Sequence, residues 1–216
     1  MTELKEIAAP ARRRGGRPGR TEAETLSRAI LAAAERAFLS EGFGGARMEA
    51  IAAAAGTTKQ TVYARFGGKE ALFVAVSGAL LKDRFTSASP TPGPLREALV
   101  QVADEMLTAM LDPKLVRMYG IITAEAARFP ELARMTDEDD TFPGRLIMQR
   151  LLTEAAARDE IVCEDPHRAM IMLQNMVLSE PLRSAALGLG KFTQSRDLNA
   201  WSRFAIDLFL DGARPR

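Results

Sequence analysis

Glycines cut the first third of this 216-residue chain into short helical stretches. Leu26, Ile30, Ala33, Ala34, Ala37 and Phe38 recur at helical spacing, and Gly42, Gly44 and Gly45 bring that apolar stripe to an end. Thr21 and Glu24 stand at capping-box spacing ahead of it. The hydroxyl can accept from the Glu24 N–H while the carboxylate reaches back to the Thr21 N–H. Met48, Ile51, Ala52 and Ala55 mark a second, shorter helix closed by Gly56. Thr58 is placed to cap a third, whose Val62 and Phe66 face inward until Gly67 and Gly68 stop it. A fourth opens near Lys69 and Glu70 and runs through Leu72, Phe73, Val76, Leu80 and Leu81.

No stretch alternates with the period of a strand, and no internal repeat is visible, so an all-α fold is predicted. Ser87 to Pro94 holds three prolines in five residues and cannot continue a helix. Longer helical stretches follow at about 95–111, 113–128, 142–158, 166–187 and 197–210. Asp112-Pro113 and Asp165-Pro166 each pair an N-cap with proline at the first helical position. The predicted order is a disordered basic arm (1–20), a three-helix domain (21–68), a connecting helix (69–86), a Pro-rich linker (87–94) and a larger helical domain (95–216).

A single cysteine, Cys163, excludes an intrachain disulfide and suits a reducing compartment. A single histidine, His167, argues against a multi-histidine metal centre. The two are four apart, but Pro166 between them puts them astride a helix start. The acidic run from Asp137 to Asp140 reads as a solvated face rather than a set of metal ligands. With no glycine-rich phosphate loop and no nucleophile elbow, the chain is expected to be no enzyme and to need no cofactor or metal. No apolar run reaches the roughly 20 residues of a membrane span, and the N-terminus lacks the apolar stretch of a signal peptide. A cytoplasmic protein without membrane contact is expected.

The net charge of +1 hides an asymmetry. Residues 1–69 carry 12 Lys/Arg against 7 Asp/Glu, a net of +5, whereas residues 70–216 carry 17 against 21, a net of −4. The stretch Arg12-Arg13-Arg14-Gly15-Gly16-Arg17-Pro18-Gly19-Arg20 has five arginines and no acid. It is both a solvated tail by composition and an arm of the kind that folds onto DNA, and the two readings are compatible. Residues 46–66 then read as helix, tight turn at Gly56, helix. That is the layout of a helix-turn-helix, whose second helix enters the DNA major groove by its N-terminal residues. Thr57, Thr58, Lys59, Gln60 and Thr61 at that end are all polar. Threonine offers a hydroxyl and a methyl, Gln60 can pair bidentately with adenine, and Lys59 suits a guanine edge or a phosphate. Tyr63 and Arg65 extend the polar face.

These residues carry a family resemblance. Ile51-Ala52, Ala55-Gly56, Lys59-Gln60-Thr61-Val62-Tyr63, Phe66, Lys69-Glu70 and Leu72-Phe73 closely resemble the DNA-binding domain of the TetR family of bacterial transcriptional regulators. The resemblance is strong over about residues 21–80. Beyond it, Glu125 to Ala133 is similar to ligand domains of the AefR- and AcrR-like subgroup. It implies a double-stranded DNA partner met by Thr57, Thr58, Lys59, Gln60, Thr61, Tyr63 and Arg65, with Lys69 on a phosphate. Arg17 and Arg20 of the arm would lie along the backbone or in a narrow A·T-rich minor groove. Two positions depart from the family pattern. Ala46-Arg47 stands where threonine is common, so a hydroxyl cap gives way to a cation that can meet a phosphate. Ala64-Arg65 replaces an aromatic or histidine stretch.

For the second half, the resemblance implies a sensor and a homodimer interface matched to a palindromic operator. Helices near 166–187 and 197–210 would pack against their copies through Met170, Val177, Leu178, Leu182, Trp201, Phe204 and Leu208; an intrachain core face is the alternative. Eight of the ten methionines lie beyond residue 100. Methionine adapts to irregular ligands, so Met106, Met110, Met118, Ile122, Met148 and Met176 are candidate cavity walls, with Arg117, Tyr119 and Gln174 as polar contacts. The implied function is repression released by an apolar or amphipathic small molecule. A regulator acting as an activator or through a protein partner is the second reading, and a helical enzyme the third.

Overall fold

The computed structural model describes residues 20–85, 92–137, 142–192 and 194–214. Ten helices and no strand occur among them. In chain order they are α1 (Arg20–Gly45), α2 (Met48–Ala54), α3 (Lys59–Phe66), α4 (Lys69–Arg84) and α5 (Leu95–Met110). There follow α6 (Pro113–Glu125), α7 (Pro130–Asp137), α8 (Pro143–Ala157), α9 (Pro166–Ala186) and α10 (Ser195–Gly212). The all-α class read from the sequence is the class observed. Arg17, most of the acidic run and residues 86–91 of the connection lie outside the described residues.

Helices of seven and eight residues such as α2 and α3 are marginal in isolation and persist by packing an apolar face. Met48, Ile51, Ala52 and Val62 supply that face, meeting Ile30 and Phe38 of α1 and Leu72 and Phe73 of α4. Phe38, Phe43 and Phe73 form an aromatic cluster with ring centroids 5.0–6.0 Å apart. The same core takes in Leu115, Met118 and Ile121 of α6 and Leu132 of α7. Helices α1 to α4 therefore share one core with α6 and α7. A second core joins α5, α8, α9 and α10. Arg96 closes it at one edge through a fork to Asp207, with bonds of 2.6 and 2.8 Å.

Local details follow from single residues. Helix α1 begins at Arg20, so Thr21 lies inside its first turn rather than ahead of it. Its helical geometry breaks at Gly42, which sits at φ 73°. Asp112 and Asp165 cap α6 and α9 with a proline following each, as their sequence implies. Helix α9 contains Pro181, which has no N–H to give the carbonyl four residues earlier. That carbonyl belongs to Val177, and the Trp201 indole N–H donates to it at 2.9 Å. Among the described residues no helix is long and apolar enough to cross a membrane.

Candidate DNA interface and ligand cavity

The α2–α3 turn is built by hydrogen bonding. Gly56 N–H donates to Ala53 O (3.1 Å) and Thr57 N–H to Ala52 O (2.9 Å), the two bonds of a Schellman ending. Gly56 holds φ +65° in open space, so backbone conformation rather than crowding calls for glycine. Thr58 then caps α3: its hydroxyl oxygen accepts from Thr61 N–H at 3.2 Å. Thr58, Lys59, Gln60 and Tyr63 are exposed on this helix, Thr57 and Thr61 are half-buried, and Val62 is wholly buried beneath them. Lys59 pairs with Glu49 of α2 at 2.7 Å. That bond raises the lysine above its ordinary value and lowers the carboxyl below its own.

The last turn of α1, past the Gly42 break, is held from two sides. The Glu125 carboxylate, at the last residue of α6, accepts from Phe43 N–H (2.9 Å) and Gly44 N–H (2.7 Å). Lys69, at the first residue of α4, donates to Gly44 O at 3.3 Å and sets its ammonium 4.7 Å from the Phe43 ring centre. Burial pulls this lysine below its ordinary value, against the opposing charges of Glu125 and Glu70. Phe129 completes the joint edge-on to Phe43, with ring centroids 4.9 Å apart.

Behind this head lies a largely apolar cavity of about 520 Å³, within the range of small-molecule sites. Val74, Ser77 and Leu81 of α4, Met110 of α5, Tyr119 and Ile122 of α6 and Ala133 of α7 form part of its wall. Phe142 and Arg145 next to and on α8, and Gln174, Asn175, Leu178, Ser179, Leu182 and Arg183 of α9, complete it. Arg145 Nε donates to Gln174 Oε1 at 2.7 Å. Arg183 is neutralised by Glu180 through bonds of 2.8 and 2.9 Å.

The profile of the tetR family of bacterial regulatory proteins matches residues 30–76. That of the AefR-like transcriptional repressor C-terminal domain matches residues 97–212, more than half of the chain. The chain belongs to the TetR family. It is a DNA-binding transcriptional regulator of that family. Among solved structures, it is 31% identical to the flavonoid-responsive regulator FrrA, covering 89% of this chain and 99% of that one at a TM-score of 0.72. A Mesorhizobium loti protein assigned to the TetR family is 27% identical over 89% of this chain and 98% of that one, at a TM-score of 0.70. The fatty acid degradation regulator FadR of Bacillus halodurans, 23% identical over 87% and 99% with a TM-score of 0.59, shares the fold. No curated protein sequence matches the chain.

Within this TetR-family frame, the residues singled out from the sequence are placed as follows. Arg47 is exposed at the N-cap of α2 and makes no side-chain cap. Arg65 donates to Ala23 O (3.0 Å) and Ser27 Oγ (2.8 Å), tying α3 to α1 in the free protein. Met110, Tyr119, Ile122 and Gln174 line the cavity. Met106, Met118 and Met148 are instead wholly buried core residues, and Met176 packs against the core. Arg117 lines a separate depression with Val116, Gly120, Ala185 and Ala186. Met170, Val177, Leu178 and Leu182 face the chain's own interior, whereas Phe204 and Leu208 are 63% and 55% exposed. Sequence reasoning missed Ser77, Phe142, Arg145, Asn175 and Ser179 as cavity residues; their one signal is a polar or aromatic position within an otherwise apolar helical pattern. Burial pushes the half-buried Cys163 thiol up, away from the reactive thiolate form.

Proposed function

We propose that this protein is a homodimeric repressor that leaves a palindromic operator when an amphipathic, oxygen-bearing aromatic molecule enters the cavity. The observation that carries the reading is shared construction: α4 and α6 line the cavity and also hold the DNA-binding head. A ligand that favours a different α4–α6 spacing would thereby change where α3 sits, by no more than its differential affinity for the two arrangements. The apolar wall with Arg145, Gln174, Asn175 and Tyr119 suits a flat ring system with acceptor oxygens at its edge. The 31% identity to a flavonoid-responsive regulator supports that class.

At the DNA, Gln60 is assigned to a base edge and Lys59, Arg47 and the Thr57, Thr58, Thr61 and Tyr63 group to phosphates and neighbouring bases. Lys69 and Arg65 act chiefly by holding the head together, and Arg17 and Arg20 are assigned to the DNA backbone or minor groove. Phe204 and Leu208, four apart on α10 and exposed, are assigned to the dimer face with Met172, which is 64% exposed on α9. The test is a binding titration on the DNA flanking the protein's own gene, repeated with a panel of flavonoids. Binding that some of these compounds abolish supports the proposal; binding that none alters removes the ligand from it.

A further inference from the structure

Two helices that line the cavity meet the same two residues, Phe43 and Gly44. Helix α6 terminates at Glu125, whose two carboxylate oxygens accept from the N–H groups of Phe43 and Gly44. Helix α4 starts at Lys69, whose ammonium donates to the Gly44 carbonyl. On α6, Tyr119 and Ile122 touch the cavity six and three residues before Glu125; on α4, Val74 does so five residues after Lys69. Phe43 and Gly44 lead directly into α2, which carries α3. A Cβ on Gly44 would stand 2.8 Å from Glu125 Oε2, so a side chain there would displace the carboxylate.

We propose that Glu125 is a positioning residue for DNA binding: its carboxylate clamp on the Phe43 and Gly44 amides fixes the last turn of α1, past the Gly42 break, to α6 and so sets the angle at which α3 is presented. Charge-assisted bonds to backbone N–H groups are the stronger kind, and a carboxylate can satisfy two such donors at once. A glutamine cannot offer one acceptor oxygen to each amide, because its second terminal atom is an NH2 donor, and it carries no charge. The proposal rests on reading the cavity as the effector site, and it adds the joint through which occupancy reaches the head.

The experiment compares full-length wild type, Glu125→Gln and Phe129→Leu. Amide hydrogen exchange is followed residue by residue without DNA, thermal stability is recorded, and affinity is measured for the DNA flanking the protein's own gene. Glu125→Gln is expected to speed exchange at Phe43 and Gly44 about tenfold or more and to weaken DNA binding by a similar factor. Exchange elsewhere in α1 and α4 should stay near wild type. Phe129→Leu removes ring packing at the same joint but leaves the clamp, so it should lower the melting temperature with little change in those two amides. Unchanged exchange at Phe43 and Gly44 in Glu125→Gln overturns the proposal. Faster exchange with wild-type DNA affinity overturns it as well, leaving the cavity reading intact. Failure of wild type to bind the DNA at low salt removes the functional reading and this proposal together.

Discussion

Thr58 does two jobs with one hydroxyl. It caps α3, and in the proposed function it stands among the residues that face DNA. Thr58→Ala is expected to lower stability by about 1 kcal/mol, and Thr58→Ser to recover most of it, as measured by thermal or urea unfolding. Its neighbour Lys59 is held by Glu49 on the exposed surface. A phosphate must compete with that carboxylate. Glu49→Gln should therefore tighten binding to any DNA sequence at low salt by a few-fold and steepen the salt dependence. Gln60→Ala should instead relax sequence preference while leaving that dependence unchanged. The cap was legible in the sequence because both partners lie within one helical turn. The sequence points Arg65 and Lys69 toward DNA, and their bonds to Ala23, Ser27 and Gly44 are not legible in it, because those partners lie 25 to 42 residues away along the chain.

At the scale of elements, glycine and proline punctuation located most helices. Helix α7 escaped because, among its residues of described burial, only Leu132 is buried, too few for a periodic stripe. The methionine reading failed to separate core from cavity for a similar reason. Met118 and Tyr119 are adjacent in sequence but about 100° apart around α6, and only the packed helices show which side is hollow. The start of α6 also joins α4 electrostatically. Asp112 accepts from Lys114 N–H at 2.9 Å and meets Arg84 Nε at 2.5 Å. Burial alone would raise its carboxyl, but the Arg84 bond and the cap outweigh burial and hold it below the usual value. With the folded value lower than the unfolded one, the pair stabilises above the unfolded value of about 4, and that contribution is lost as pH falls through the folded value. Asp112→Asn keeps a cap and removes the charge. It should cost up to about 1 kcal/mol at pH 7, with the gap to wild type closing on acidification below about pH 4. A gap that does not narrow at all on acidification would show that the charge pair is not its source.

For the whole molecule, the charge division seen in the sequence now has a structural counterpart with a qualification. The basic head is not an independent module, since Leu115, Met118, Ile121 and Leu132 from the acidic half complete its core. A head anchored in this way suits a protein that must feel events in its own body. Dimerisation belongs to this scale as well. Phe204→Glu places a charge on the exposed α10 face and should give a folded monomer in analytical ultracentrifugation with DNA binding largely lost. A dimer of unchanged strength would move the interface elsewhere. The most direct test of ligand-controlled DNA binding is a fluorescence-anisotropy titration of the DNA flanking the protein's own gene, at low salt, with and without a saturating flavonoid. Wild type and Ser77→Phe, whose larger side chain fills part of the cavity, are compared side by side. Both proteins are expected to bind the DNA, and only wild type to release it. Release of both to the same extent, or of neither, would contradict control through this cavity.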